Sequence, residues 1–536
     1  MVQTIRLPGR DILAGLVVAG LILPESVAYA GIARLAPGRA VVAAVAGGLA
    51  YSLVGRSRFA IIGPTSSSAA ILTAALASLG SEGALREGMA TALVAIVGAI
   101  LLTLSVMRLG GMSGFISRPV LRGFAFGLAV TIVIKLMPRL VGVELPPGPI
   151  WSTVAALWVH FADWHLASLY LGLTAIAALV LLRRFPEVPA TLLVMVGGIG
   201  FSLVADLPRI GIAVVGPVKL TFPAMALPRE FAIWADLVRL ALSIALIIFA
   251  ESWGTMRDLG LRHGDRLAPN RELASLGLAN LASAVVRGMP VGAGFSAGSA
   301  NEAAGTTTRL AGVIASLTIL LLALFAATWI ARMPEPVLAA IVIAALTHAL
   351  SPAPLVRLFR IGRDRWVALA ALFAVLLLGV LNGMLVAVAL SIADLLYDLS
   401  HPSVSELGQV GEGHDFVDVA RHRQARPVPG FAIFRPNAPL FFANAESILG
   451  TVSGRARQRS EPTVVLSLEE SNDLDSTAID ALGEFATELS KAGKRVILAR
   501  AHDRVRDVLE TAGLGDLASN STYSVADAAQ RAISGD

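Results

Sequence analysis

Apolar runs of membrane length recur along this chain, and they restrict its fold more than any other feature. Met89–Met107, Leu166–Leu182, Leu310–Ala331 and Trp366–Ala393 hold no charged residue, and Ile12–Ala30 holds one, Glu25. About 20 apolar residues in a helix cross the hydrocarbon of a bilayer. In lipid every backbone N–H and C=O must be paired within the protein, so such runs fold as helices. The composition agrees: 55% of the 536 residues are hydrophobic and 15% are charged, against about 25% charged in soluble domains. Trp366–Ala393 is long enough for two spans and is expected to break near Asn382-Gly383. The first run is too long for a cleavable signal peptide and leads straight into further spans.

Fourteen spans or part-spans are expected, near 12–30, 38–54, 63–80, 89–107, 118–136, 166–182, 188–205, 233–254, 273–287, 292–305, 310–331, 336–350, 366–381 and 383–399. Residues 63–80 and 292–305 are too short or too Gly-rich to cross alone. Basic residues set the orientation. Arg56 and Arg58 follow span two, Arg183 and Arg184 span six, Arg257, Arg262, Arg266 and Arg271 span eight, and Arg357, Arg360, Arg363 and Arg365 span twelve. All are even-numbered loops, so those loops and both termini are expected in the cytoplasm. Arg257, Arg262 and Arg266 are expected in a solvated loop. Arg34, Arg39 and Arg139 fall on the other side, against the trend. Trp151, Trp158 and Trp164 lie between spans five and six, where interfacial anchors sit.

Two pairs of residues echo each other. Glu25 and Glu251 are separated by 226 residues (251 − 25), and so are Pro64 and Pro290 (290 − 64). Each Glu precedes a Ser inside or at the end of a long apolar run, and each Pro lies in a Gly/Pro-interrupted segment. The offset covers seven spans, an odd number, so the two halves run in opposite directions. This is the pattern of an inverted repeat around one central site. In Gly63-Pro64-Thr65-Ser66-Ser67-Ser68, Gly and Pro stop one helix and Ser/Thr cap the next. Gly288 to Asn301 follows the same logic. A half-helix N-terminus presents unpaired N–H groups and about half a positive charge. Two such ends facing each other make an anion site without a cationic side chain. A membrane carboxylate is expensive and points to function, yet it repels an anion. Glu25 and Glu251 therefore carry a proton, or hold a cation such as sodium, or hydrogen-bond the broken helices.

The tail differs. Residues 401–536 carry 14 Lys and Arg against 19 Asp and Glu, while the first 400 residues carry 29 against 19. The basic residues of the membrane part lie between apolar runs rather than along one stripe, so nucleic acid is not an expected partner. Residues 1–400 are assigned to a transmembrane domain, 401–428 to a linker and 429–536 to a soluble domain. In the last, the short apolar runs Phe431–Phe434, Leu440–Phe442, Thr463–Leu468 and Arg495–Ala499 alternate with helical stretches Ala445–Arg457, Thr477–Lys491 and Asp503–Ala512. That order predicts a small α/β domain. Asp475 or Ser476 is placed to cap the second of those helices. Cysteine is absent and the eight His are scattered, so no metal or other cofactor is expected. No nucleophile–base pair or phosphate-binding loop marks an enzyme.

An ordered set of motifs resembles the SulP anion permeases with a C-terminal STAS domain, over nearly the whole chain. It comprises Leu23-Pro24 through Ala28-Tyr29-Ala30, Gly63-Pro64, Ser117-Arg118-Pro119-Val120-Leu121 with Gly123-Phe124, and Glu251-Ser252. It continues with Asn270-Arg271-Glu272-Leu273 through Gly277-Leu278-Ala279-Asn280, then Pro290 and Phe295-Ser296 through Asn301. The resemblance implies a polytopic helical membrane protein of fourteen segments in two inverted halves of seven. These form a core and a gate domain, and a small α/β STAS domain follows. It further implies a homodimer with elevator-like movement of core against gate. The implied pocket includes Glu25, Tyr29, Thr65, Glu251, Phe295, Ser296 and Ala297. Two departures stand out: Glu25 where many members carry Gln, and Ala297 where many carry Arg. Asp475-Ser476-Thr477 resembles the phosphorylatable loop of STAS-like antagonists, which makes Ser476 and Thr477 regulatory candidates.

The expected function is secondary transport of a small anion across the inner membrane. Thr65, Ser66 and Ser296 would hold the anion with backbone N–H groups, and Glu25 and Glu251 would couple it to a proton or sodium. Sulfate and bicarbonate lead as substrates, with small dicarboxylates such as fumarate next. A channel, a membrane sensor signalling to a cytoplasmic partner through the STAS domain, and a nucleobase permease are the rival readings.

Overall fold

The computed structural model describes residues 9–534, except 81–82, 112–116, 147, 183, 185–189, 217–225, 348 and 412–413. Arg183 and the first two residues of the 188–205 span lie outside the described residues. The chain divides into two units, Met1–Ser391 and Ile392–Asp536.

The first unit is helical. Its first half runs α1 (Gly9–Ala33), α2 (Pro37–Val54), β1 (Ile62–Gly63), α3 (Ser66–Ser78), α4 (Gly83–Val106), α5 (Arg118–Val141), α6 (Ile150–Val159), α7 (Leu166–Leu182) and α8 (Ala190–Ala205). The second half runs α9 (Phe231–Arg262), α10 (Pro269–Val285), β2 (Gly292–Ala293), α11 (Phe295–Ala303), α12 (Leu310–Phe325), α13 (Ala327–Ile330), α14 (Glu335–Leu346), α15 (Ala353–Ile361) and α16 (Arg365–Ser400). Each expected span or part-span meets a helix. Among the described residues six helices are long and apolar enough to cross a membrane. With 13 and nine residues, α3 and α11 reach only about 20 and 14 Å, half or less of a typical ~30 Å hydrocarbon core for the shorter one.

Three expectations need correcting. The break expected near Asn382-Gly383 is present but falls three residues earlier, at Gly379 (φ 81°, ψ 173°). A left-handed φ costs Gly little and other residues more, so the kink settles there. The helix α9 continues to Arg262, which puts Arg257 and Arg262 on a helix rather than in a loop. Short helices α6 and α15, not foreseen, fill two connections; Trp151 and Trp158 lie exposed on α6.

The helices sort into two groups. One holds α1 to α4 with α9 to α13, the other α5 to α8 with α14 to α16. Small residues let backbones approach, as membrane packing requires. A Cβ added to Gly98 of α4 would lie 2.9 Å from the carbonyl oxygen of Gly277 on α10, and one on Gly277 would lie 3.0 Å from that of Gly98. Each repeat contributes to both groups, the arrangement expected of a core and a gate. β1 and β2 pair antiparallel, Ile62 with Ala293 and Gly63 with Gly292. Opposite strand directions at equivalent places are what an inverted repeat produces.

In the second unit, strands β3 (Val404–Val410), β4 (Phe416–Asp418), β5 (Ala425–Arg426), β6 (Phe431–Pro436), β7 (Thr463–Ser467), β8 (Arg495–Ala499) and β9 (Ser521–Thr522) form one sheet. The order is β4-β3-β6-β7-β8-β9, with β5 on β3; β6 to β9 are parallel. Helices α17 (Ala445–Arg457), α18 (Ser476–Lys491), α19 (Asp503–Thr511), α20 (Gly515–Ser519) and α21 (Val525–Ser534) cover it. Ala432, Phe434, Val464, Leu466, Val496 and Leu498 pack with α17 to α20, while Phe431, Ile433, Val465, Ile497 and Ala499 pack with α21. Alternate residues face opposite sides of a strand, so these strands are buried on both faces. Residues 404–410, expected in a linker, instead form a strand of the sheet, 404–407 against β6 and 407–410 against β4 and β5, because Val404 and Leu407 bury apolar side chains in the sheet's two cores. Leu440–Phe442 forms no strand and leads into α17.

Candidate anion site

The site grows from two interrupted stretches of backbone. Pro64 and Pro290 lack N–H groups and cannot continue a helix, so the chain runs extended through each. In hydrocarbon that backbone needs partners. Around the second crossover, Arg39 donates to the carbonyl of Gly288 (3.1 Å), Ser283 to Met289 (2.6 Å), Ser68 to Pro290 (3.1 Å) and Asn280 to Val291 (2.9 Å). Asn280 also accepts from the Val291 N–H at 3.0 Å, and Ser252 accepts from the Ala293 N–H at 2.8 Å. Around the first, Asn301 donates to the carbonyls of Arg58 (3.2 Å) and Phe59 (3.3 Å), and the β1–β2 pairing serves Ile62 and Gly63.

Each crossover feeds a half-helix. Thr65 caps α3: its hydroxyl accepts from the Ser68 N–H at 3.1 Å, and Ser68 Oγ accepts from the Thr65 N–H at 3.0 Å. Gly294 occupies the cap of α11 with no side-chain bond. The two caps are neighbours, since a Cβ on Gly294 would stand 3.8 Å from Thr65 Cγ2.

Both half-helix ends face one cavity of about 710 Å³. Glu25, Tyr29, Thr65, Ser66, Glu251, Phe295, Ser296 and Ala297 all line it, together with Arg118, Arg122 and Phe124 of α5. It lies between the two helix groups. Glu25 (5% exposed) and Tyr29 come from buried turns of α1 beside Pro24. The glutamates cross between repeats. Ser296 Oγ of α11 donates to Glu25 at 3.5 Å, and Ser67 Oγ of α3 donates to Glu251. No basic side chain hydrogen-bonds either carboxylate among the described residues. The deep end is thus built of helix ends, hydroxyls and two carboxylates.

Sequence reasoning missed several lining residues. Ser66 lines the cavity as expected, and Ser67 behind it, not singled out from the sequence, is the hydroxyl bonded to Glu251. Arg257, Asp258 and Arg262 reach the cavity because α9 continues past Glu251. Asp258 and Arg262 lie two and three turns beyond Glu251 on its face, a helical spacing readable once the helix length is known. Arg262 pairs with Asp258 at 2.6 Å. Ser476 and Thr477 are not at this cavity; they open α18 in the second unit. There Asp475 is the cap, accepting from the N–H groups of Ala478 (2.9 Å) and Phe442 (2.7 Å). Among the described residues no cluster of His, Asp and Glu is placed to hold a metal ion.

Comparison with known proteins gives this geometry a context. The sulfate permease family matches residues 9–372 and the STAS domain matches residues 422–528. A protein of Mycobacterium tuberculosis named "Probable sulfate transporter" is 32% identical over 522 residues, covering 94% of this chain and 91% of its own. "High affinity sulfate transporter 2" of Stylosanthes hamata is 24% identical, covering 95% and 81%. The structure of murine Solute Carrier 26 family member A9 in the inward-facing state has a TM-score of 0.89 at 21% identity, covering 99% of this chain and 92% of that one. The transmembrane domain of a cyanobacterium bicarbonate transporter has a TM-score of 0.64 at 22% identity, covering 72% and 98%. These two structures support the fold, the first over nearly the whole chain and the second over its helical membrane unit. The motif resemblance to SulP permeases therefore holds, and the family is one of transporters rather than enzymes. This chain belongs to the sulfate permease family of membrane anion transporters and carries a C-terminal STAS domain.

Proposed function

We propose that this protein is a secondary active transporter of a small inorganic anion of the sulfate or bicarbonate type. The observation that carries this reading is the placement of the α3 and α11 N-termini at one cavity, with Glu25 and Glu251 hydrogen-bonded across the repeats. In this reading the anion sits between the two helix ends, held by backbone N–H groups and the hydroxyls of Thr65, Ser66 and Ser296. Helix ends recognise negative charge without a cationic side chain, which suits a pocket with Ala297 at its wall. Phe295 and Tyr29 supply the apolar sides. The names of the relatives favour sulfate, and the bicarbonate transporter's shared fold keeps bicarbonate beside it.

An anion and two buried carboxylates repel one another strongly where water is scarce. Glu25 and Glu251 therefore bind a proton or sodium when the anion binds, which couples the two fluxes. Alternation comes from the core group moving against the gate group, with the cavity now open toward the cytoplasmic ends of α5 and α9. The protein works in the inner membrane with both termini cytoplasmic, as a homodimer whose STAS domain meets cytoplasmic partners through the Ser476–Thr477 corner.

The test is uptake of radiolabelled sulfate, bicarbonate and fumarate into proteoliposomes, with and without imposed pH and sodium gradients. Uptake of an inorganic anion driven by one gradient is expected. Glu251→Gln should abolish the gradient dependence; if uptake and its pH profile stayed as in the wild type, the coupling role would be wrong. Anion binding without any flux would leave a sensor instead.

A further inference from the structure

The basic residues that break the positive-inside trend gather at one end of the membrane unit. Arg34 follows α1 and lies within electrostatic reach of Arg86 on α4 and of Lys135 on α5. Arg86 donates to the carbonyl of Ala33 at 3.2 Å, which holds it against the end of α1. Arg139 of α5 lies over Gly31 of α1: a Cβ there would come within 2.5 Å of Nη1. Its Nε is 3.9 Å from Glu335 of α14. Arg39 joins the group but is 1% exposed and committed to Glu87, Thr91 and the Gly288 carbonyl. Among the described residues the ion pairs of these five cations are Arg39 with Glu87 and Arg139 with Glu335, and Arg287 adds a further positive charge beside Arg39.

Position gives the cluster its meaning. The anion cavity is lined at its open end by Arg118, Arg257, Arg262 and Pro354, and by none of these five residues. They stand at the sealed end, where Arg139 fills the space above Gly31 between the two helix groups. Arg34 and Arg86 belong to one group, and Lys135 and Arg139 to the other. Like charges facing each other across a seam repel and make the sealed arrangement less stable than a neutral one. Lys135 lies at the surface of α5. A surface of one sign beside low-dielectric walls raises the local concentration of oppositely charged solute and its association rate, by about 10- to 1000-fold in strong cases.

We propose that Arg34, Arg86, Lys135 and Arg139 form an anion-collecting port on the far side of the membrane. The port concentrates small inorganic anions at the seam, and Arg139 over Gly31 is its seal. The inference rests on the transport reading and on the cytoplasmic placement of the termini. Salt sensitivity follows from screening, because the Debye length falls from about 20 Å near 20 mM salt to about 4 Å near 0.5 M.

The experiment uses the full chain in cells, with labelled sulfate, or bicarbonate if sulfate is not carried, supplied from outside. Wild type is compared with Lys135→Gln, Arg34→Gln and their combination. Expected is a rise of about 5- to 10-fold in the half-saturating external concentration for the double variant near 20 mM salt. Its maximal rate should stay within about twofold, and the difference should largely vanish near 0.5 M salt. Lys135→Arg should behave as wild type. An unchanged half-saturation at low salt overturns the port, as does a salt-independent fall in maximal rate, which marks a structural role. In proteoliposomes, an effect confined to vesicles with anionic lipid and lost in pure phosphatidylcholine assigns the cluster to lipid headgroups and overturns it too. A wild type that carries none of the anions overturns the transport reading and the port together; a transporting wild type with indifferent variants overturns the port alone.

Discussion

Strand pairing ties both crossovers; beyond it the crossover before α3 is held by Asn301, whereas the crossover before α11 is held by side chains from α2, α3, α9 and α10. In the second, four successive carbonyls, Gly288 to Val291, each receive a different donor. The helices that follow differ in the opposite sense. Thr65 closes the first turn of α3 with a reciprocal box to Ser68, while Gly294 gives α11 no side-chain cap. One half-helix is thus self-capped on a lightly tied approach. The other has a firmly tied approach and an end that takes nothing from its own cap. The repeat preserves the path of the chain, but the two halves divide the work of satisfying it. In the transport reading, α11 is the end with more to offer an anion.

Removing the tie on each side should give the largest contrast. Asn280→Ala strips the donor to the Leu276 and Val291 carbonyls and the acceptor for the Val291 N–H. Unsatisfied buried groups cost about 1–3 kcal/mol each, so a loss of about 3 kcal/mol and of all transport is expected, read by thermal unfolding in detergent and by uptake. Asn301→Ala leaves the β1–β2 pairing in place and should cost about 1–2 kcal/mol. Equal losses would erase the distinction between the crossovers.

The caps give a smaller effect of opposite signs. Thr65→Ala should destabilise by about 1 kcal/mol. Gly294→Ser supplies the missing cap at an extended backbone (φ −73°, ψ 139°) with an ordinary contact to Thr65. It is expected to stabilise by about 0.5 kcal/mol and to raise the half-saturating anion concentration, because the new hydroxyl competes for the same N–H groups. A stabilised variant with unaltered half-saturation would show that the α11 end is not where the anion binds.

The weakest contrast lies at the carboxylates. Ser67 Oγ donates to Glu251, while Ser296 Oγ reaches Glu25 only at 3.5 Å, the long limit of a hydrogen bond. Ser67→Ala should therefore shift the pH profile of uptake more than Ser296→Ala does. The reverse order would place the coupling group on α1 rather than α9.

Much of this molecule was readable before any coordinates. The fourteen segments, their inversion and the two broken helices follow from apolar length, Pro and Gly, because lipid leaves backbone so few options. Glu25 and Glu251 announced themselves by the cost of a carboxylate in such a run. The α/β pattern of the tail was legible too, since strands buried on both faces read as short apolar runs. What was missed has more than one cause. The strand at 404–410 depends on partners further along the chain, whereas the kink at Gly379 uses a local freedom of Gly that composition alone does not locate. Polar composition around Arg257 and before Phe431 looked like loop.

The class of protein and the identity of its costly residues follow from local chemistry alone: apolar length, interrupted helices and buried charge. The meeting of Glu25 with Ser296 and of Glu251 with Ser67, the four donors at the second crossover and the seat of Arg139 over Gly31 come from folding in three dimensions. Those contacts join residues up to 271 positions apart, and no local preference encodes them. They arise when two inverted halves close on each other in lipid, where every interrupted carbonyl must find a donor that its own helix cannot provide.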